Sequence, residues 1–77
     1  MNATTLREAD ALAGIDAEMG LLGALLLDNQ AFDRISDKLR AEHFYVEQHR
    51  DIFAELSSQI CAGRMADVLT VGMALTG

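Results

Sequence analysis

Few residues of this chain have the types and spacing that chemistry requires. The two histidines, His43 and His49, stand six apart, whereas a metal pair on one helical face needs spacing i, i+4. Glu47 and Asp51 flank His49 but fall on different faces of a helix, so His49 reads as a structural imidazole rather than a base or ligand. Cys61 is the single cysteine. It excludes an internal disulfide and a Cys/His zinc staple. No Lys, Arg or His is placed in sequence to activate its thiolate, so it reads as a small core filler. Gly20-Leu-Leu-Gly23 lies inside an apolar stretch and lacks the Lys-Ser/Thr of a phosphate loop. There is no G-x-S-x-G elbow. Met19, Met65 and Met73 are scattered as packing residues are. The residues therefore assign no catalytic role, no cofactor site and no metal site.

Charge narrows the partners. Twelve Asp plus Glu oppose six Lys plus Arg, for a net charge of −6. Phosphate recognition needs clustered cations. The only cluster, Arg34, Lys38 and Arg40, is interleaved by Asp33 and Asp37. Direct nucleic-acid binding and an anionic membrane surface are disfavoured together. The longest strongly apolar run, Leu21 to Leu27, is far shorter than the ~20 residues that span a bilayer. Met1 to Asp10 carries Arg7, Glu8 and Asp10 and lacks a signal-peptide core. A cytoplasmic location is expected, and the unpaired Cys61 suits a reducing compartment.

The elements that must position these residues are helical. The 77 residues include no Pro and 51% are hydrophobic, enough for one packed domain and too few for two. Residues 1–14 are expected to be a tail or a short helix. Thr5-Leu6-Arg7-Glu8 fits a capping box, and Leu6, Ala9 and Ala13 lie at helical spacing. A first main helix is predicted over 15–27, with Ile15, Met19, Leu22 and Leu26 as its stripe and Leu21 and Leu25 widening it. Gly20, Gly23 and Ala24 form a narrow small-residue face. Its expected compensation is close approach of another helix. A second helix is predicted over 30–39, capped by Asp28 or Asn29, with Phe32, Ile35 and Leu39 inward and Arg34, Asp37 and Lys38 outward. After a turn that delivers Phe44 and Tyr45, a third helix is predicted over 47–62 on Ile52, Phe53, Leu56 and Ile60, stopped by Gly63. Asp67 caps a last helix over 68–75, with Val68, Val71 and Leu75 inward. The expected fold is all-α, a small orthogonal bundle of four main helices.

Four pieces of this pattern, in order, carry a resemblance. Ile15-Asp16-Ala17-Glu18-Met19 followed by Leu22-Gly23-Ala24-Leu25-Leu26-Leu27-Asp28 resembles the opening of the N-terminal domain of bacterial replicative DNA helicases of the DnaB type. Phe32-Asp33-Arg34-Ile35 is similar to the family's aromatic-D-x-[VI] segment. Phe44-Tyr45, His49 and Ile52-Phe53 resemble its F-Y-x-x-x-H-x-x-I-F signature. Gly63, Asp67, Thr70 and Val71 resemble its loop G-x-x-x-D-x-x-T-[LV]. The resemblance covers about Ile15 to Leu75. Two departures stand out. Ala11-Leu12-Ala13-Gly14 replaces the usual Pro-Pro-His-Ser, so the first helix loses a Ser cap. Glu47 stands where the family often has Pro.

The resemblance implies a globular head over 15–77 that lacks the family's helical hairpin, linker and RecA-like ATPase. It thus implies no ATPase or unwinding activity in this chain by itself, whether it is an excised head or a stand-alone relative. It also implies protein–protein contact, with other helicase subunits, with primase or with a helicase loader. Isolated, such a head is expected to be a monomer or weak dimer. His49 and Arg50 are expected to be structural, one of them pairing with Glu18. Arg34, Asp37, Lys38, Val71, Met73 and Leu75 are the expected partner surface. A stand-alone helical regulator that mimics the head, and an unrelated acidic interaction module, are the alternatives open at this point.

Overall fold

The computed structural model describes residues 14–77. The expectations for residues 1–13, including the Thr5–Glu8 box, lie outside the described residues. Four α-helices follow one another: α1 (Ile15–Leu27), α2 (Ala31–Ile35), α3 (Glu47–Cys61) and α4 (Val68–Thr76), with a single 3-10 turn at Ala41–His43 before α3. No strand occurs among the described residues. The fold is all-α, as the periodicity predicts. Among the described residues no helix is long and apolar enough to cross a membrane.

The core gathers where α1, α2 and α4 meet α3. Leu22 and Leu25 of α1, Phe32 of α2, Phe53 and Leu56 of α3 and Val71 of α4 are all buried, with Leu39, Phe44 and Ala66 from the connecting segments. Phe53 is the hub of the aromatic part, with ring centroids 5.1 Å from Phe44 and 6.0 Å from Phe32. The tilted geometry is the preferred one for aromatic pairs.

Helix ends follow the local chemistry. Asp67 caps α4: its Oδ1 accepts the Thr70 amide at 2.8 Å, and the Thr70 hydroxyl accepts the Asp67 amide at 3.0 Å. Gly63 has φ 79°, a left-handed backbone that glycine adopts without a Cβ clash. The Arg64 amide reaches the Gln59 carbonyl and the Gly63 amide the Ile60 carbonyl, which together close α3 with a Schellman motif. Gly14 leaves α1 without a side-chain cap, as the missing Ser predicts.

Several expectations are corrected. The buried line of α1 is Glu18, Leu22 and Leu25, not Ile15, Met19, Leu22 and Leu26. Ile15 and Met19 are more than half exposed, because α1 turns its acidic position inward to meet α3. Gly20 and Gly23 face no close neighbour: a Cβ at either would meet nothing within 4 Å. The second helix ends at Ile35, where Ser36 and Asp37 favour a turn that brings Leu39 inward. Asn29 does not cap it; the Asp28 carboxylate accepts the Gln30 amide instead. Cys61 is exposed, since α3 buries Phe53, Leu56 and Gln59 and turns its last residue outward. Val68 and Leu75 are exposed and only Val71 of α4 is buried, because this edge helix meets its neighbours along one line. Val71, expected on the partner surface, is buried and borders the surface only through a hollow it shares with Val68 and Leu75.

The open flank of α1 gives a direct test. Gly20→Ala and Gly23→Ala should each raise stability by up to about 1 kcal/mol, by chemical denaturation, since helix propensity improves and nothing is struck. Destabilisation by either would mean another helix does pack there.

Candidate functional site

The most concentrated polar chemistry of the molecule is the entrance to α3. Val46 occupies its N-cap position and offers no side-chain oxygen. The amides that lead into a helix start need an acceptor. Glu18 of α1 reaches two of them, those of Tyr45 and the N-cap residue Val46, from across the core. Its Oε2 accepts the Tyr45 amide at 2.7 Å, and its Oε1 accepts the Val46 amide at 3.3 Å and lies 2.7 Å from His49 Nδ1. A carboxylate only accepts, so His49 Nδ1 carries the proton in this contact. The α3 macrodipole adds a favourable field at that end.

Glu18 is fully shielded from solvent and His49 nearly so. Burial pushes the Glu18 carboxyl up and is the largest single effect. The Tyr45 amide, the His49 side chain and the Val46 amide together outweigh it, and the charge of His49 acts in the same direction. The carboxyl is held below its ordinary range. Glu18 is therefore an ionised, buried anchor, with no proton to exchange near neutrality.

The structure brings Glu18 and His49 together and sends Arg50 elsewhere. The Arg50 guanidinium donates to the Phe44 carbonyl at 2.9 Å and the Tyr45 carbonyl at 3.0 Å. The amide side of this turn is bound by Glu18 and the carbonyl side by Arg50. The chain is thus fixed from both sides where Phe44 enters the core. His43 Nδ1 accepts the Arg40 amide at 3.0 Å and so braces the preceding 3-10 turn. Arg34, Asp37 and Lys38 are exposed, as are Met73 and Leu75.

Two further polar joints were missed by sequence reasoning. The Asn29 carboxamide accepts the Ala66 amide at 2.8 Å and donates to the carbonyls of Ala66 and Leu25, each at 2.8 Å. It clips the loop before α4 to the end of α1. Gln59, buried on α3, accepts the Thr70 hydroxyl at 2.8 Å and donates to the Thr70 carbonyl at 3.3 Å and to Glu55 at 2.9 Å. The available signal for both Glu18 and Gln59 was a polar residue in phase with an apolar stripe. Asn29 offered no such signal.

All three joints bind the chain's own peptide groups. No group of three or more His, Cys, Asp or Glu among the described residues could hold a metal. Fold and site define a small helical domain braced by buried polar joints.

Comparison with known proteins agrees. The family described as DnaB-like helicase N terminal domain matches residues 10–77. The replicative DNA helicase DnaB of Nostoc sp. is 40% identical over 62 residues, which are 80% of this chain and 7% of the relative. Those of Haemophilus influenzae and Buchnera aphidicola (from Schizaphis graminum) are 37% and 34% identical, over 78% and 79% of this chain and 13% of each relative. No solved structure matches. The chain belongs to the DnaB-like helicase N-terminal domain family. It spans a small fraction of the length of these relatives, and the matched region is the N-terminal domain and not an ATPase domain.

Two expectations follow from the joints. Glu18→Ala leaves two amides and His49 without their acceptor, whereas Asp16→Ala touches only an exposed side chain. By thermal melting, Glu18→Ala should lower Tm by about 10 °C more than Asp16→Ala. Equal small effects would remove the anchor role. A depressed folded pKa stabilises above the unfolded value, ~4.3 for Glu, and this contribution is lost as pH falls through the folded value. The stability difference between wild type and Glu18→Gln should therefore shrink as pH falls below about 4.

Asn29→Asp keeps the acceptor and loses both donors, placing a carboxylate against two carbonyls. It should cost roughly 2–3 kcal/mol in urea unfolding, and Asn29→Ala a similar amount. A loss below about 0.5 kcal/mol for both would show that the loop holds without the clip.

Proposed function

We propose that this domain acts by protein–protein contact within a replicative helicase assembly in the cytoplasm, meeting neighbouring helicase subunits, primase or a helicase loader. One observation carries the reading. The buried Glu18 and Gln59 side chains are engaged within the chain, while large apolar side chains, among them Leu27, Tyr45, Met65, Val68, Leu69 and Met73, stand more than 60% exposed. Leu27 and Met65 border one hollow, and exposed apolar side chains that adjoin in this way mark contact surfaces. The family membership supports the assembly in which the contact would be made. The exposed charged face of Arg34, Asp37 and Lys38 mixes both signs, which suits the rim of such a contact better than a phosphate backbone.

Alone, the 77-residue chain is expected to be a monomer or weak dimer, because stable association usually needs more than about 1,000 Å2 of complementary surface. Sedimentation at tens of micromolar should show mostly the 8.4 kDa species. Mixed with full-length replicative helicase, primase or loader, it should co-sediment with at least one of them. It should show no salt-dependent affinity for single- or double-stranded DNA in fluorescence anisotropy. Association with DNA and with none of the three proteins would overturn the reading.

A further inference from the structure

We propose that the groove between α1 and α4, floored by α3, is a docking site for a basic amphipathic helix. The proposal rests on the contact reading above and gives it a surface and a partner chemistry.

The groove is apolar. Leu26 of α1, Ile52 of α3 and Val71 of α4 form its floor, Val68 and Leu75 its lip, around an open volume of about 260 Å3. Leu26 also borders a second hollow with Leu27 and Met65, about 250 Å3. Ile52 and Leu75 also border a third with Gln48 and Asp51, about 350 Å3. The shared lining residues place the other two hollows on either side of the first, a channel interrupted by Leu26, Ile52 and Leu75, and an apolar groove of this kind accepts one face of a helix.

Charge chooses the occupant. The charged side chains at the channel's two ends are Asp28 and Asp51, both acidic. Helices α1 and α4 contain no Lys or Arg, and the one Arg of α3, Arg50, is held on the carbonyls of Phe44 and Tyr45. A helix with an apolar stripe and flanking Lys or Arg meets complementary charge along this rim. A second copy of this chain, with net charge −6, meets like charge. Gly72 lines the same groove, and a Cβ there would meet nothing within 4 Å. The wall is therefore open to close approach by an incoming backbone.

The test uses the full chain and a synthetic peptide of about 18 residues with Leu on one helical face and Lys on the other, beside its Leu/Glu counterpart. The Leu/Lys peptide should bind with amide shifts centred on Leu26, Ile52 and Leu75, and the Leu/Glu peptide should bind at least about tenfold more weakly. Gly72→Met places a side chain in the groove from a position whose Cβ strikes nothing. It should not lower Tm and should weaken the Leu/Lys peptide by about tenfold or more. Asp51→Lys, at the exposed rim, should narrow the gap between the two peptides, which keeps the test alive should Gly72→Met not fold. Shifts centred on Ile15, Met19 and Tyr45, equal binding of both peptides, or no effect of a folded Gly72→Met would each overturn the proposal. A dimer abolished by Gly72→Met would overturn it in favour of a second copy. If the peptide binds as expected and no replication protein associates, the contact reading fails and the groove stands. If a replication protein binds Gly72→Met as tightly as wild type, the groove fails and the contact reading stands.

Discussion

The carboxylate of Glu18 at the entrance to α3 is the constraint on which the rest of the structure depends. A helix whose N-cap is Val has no local acceptor for its first amides. A buried carboxylate has no water to stabilise it. Each defect is the remedy for the other: the amides of Tyr45 and Val46 and the His49 imidazole satisfy Glu18, and Glu18 satisfies them. Removing either side would leave buried polar groups unpaired, which is the costly case. The pairing also fixes which face of α1 is inward. Once Glu18 must reach α3, Leu22 and Leu25 follow it into the core, and Ile15 and Met19 are turned out.

The other polar joints extend the same logic along the chain. Arg50 binds the carbonyls of the segment whose amides Glu18 binds, so Phe44 is delivered to Phe53 by a turn with little freedom. Asn29 holds both polar groups of Ala66, and Gln59 with Thr70 ties α4 to α3. A core in a chain of this size supplies only about 3–5 kcal/mol. Joints that bind loop backbone limit the ways in which so small a core can be repacked, and leave the outward faces of α1 and α4 free of structural duty.

That freedom is what the domain has to offer in function. It belongs to a family of helicase N-terminal domains. Its accessible features are an acidic surface, an apolar end formed by α1 and α4, and a channel whose wall includes a glycine. The exposed large side chains lie on elements whose opposite faces are fastened by the three joints, so the apolar face is presented on a braced support.

The class of fold was determined by the sequence: absence of Pro, helical periodicity and caps were enough for four helices, three of them close to their observed bounds, for Gly63 as a stop and for Asp67 as a cap. These are local properties, settled within one or two turns of chain. The family was legible too, because spaced motifs survive in order whatever the side chains pack against. The rotation of each helix was decided by the tertiary structure. The α1 stripe could be drawn through Met19 or through Glu18, and apolar counting favoured Met19, because the energy of a buried carboxylate depends on partners 27 to 31 residues away. The same reason hid Asn29, whose partner Ala66 is 37 residues distant, and turned Cys61, Val68 and Leu75 outward against expectation. Periodicity specifies that a helix has a face. Which face is buried depends on whether the polar residue on it finds, in three dimensions, the donors that make its burial tolerable.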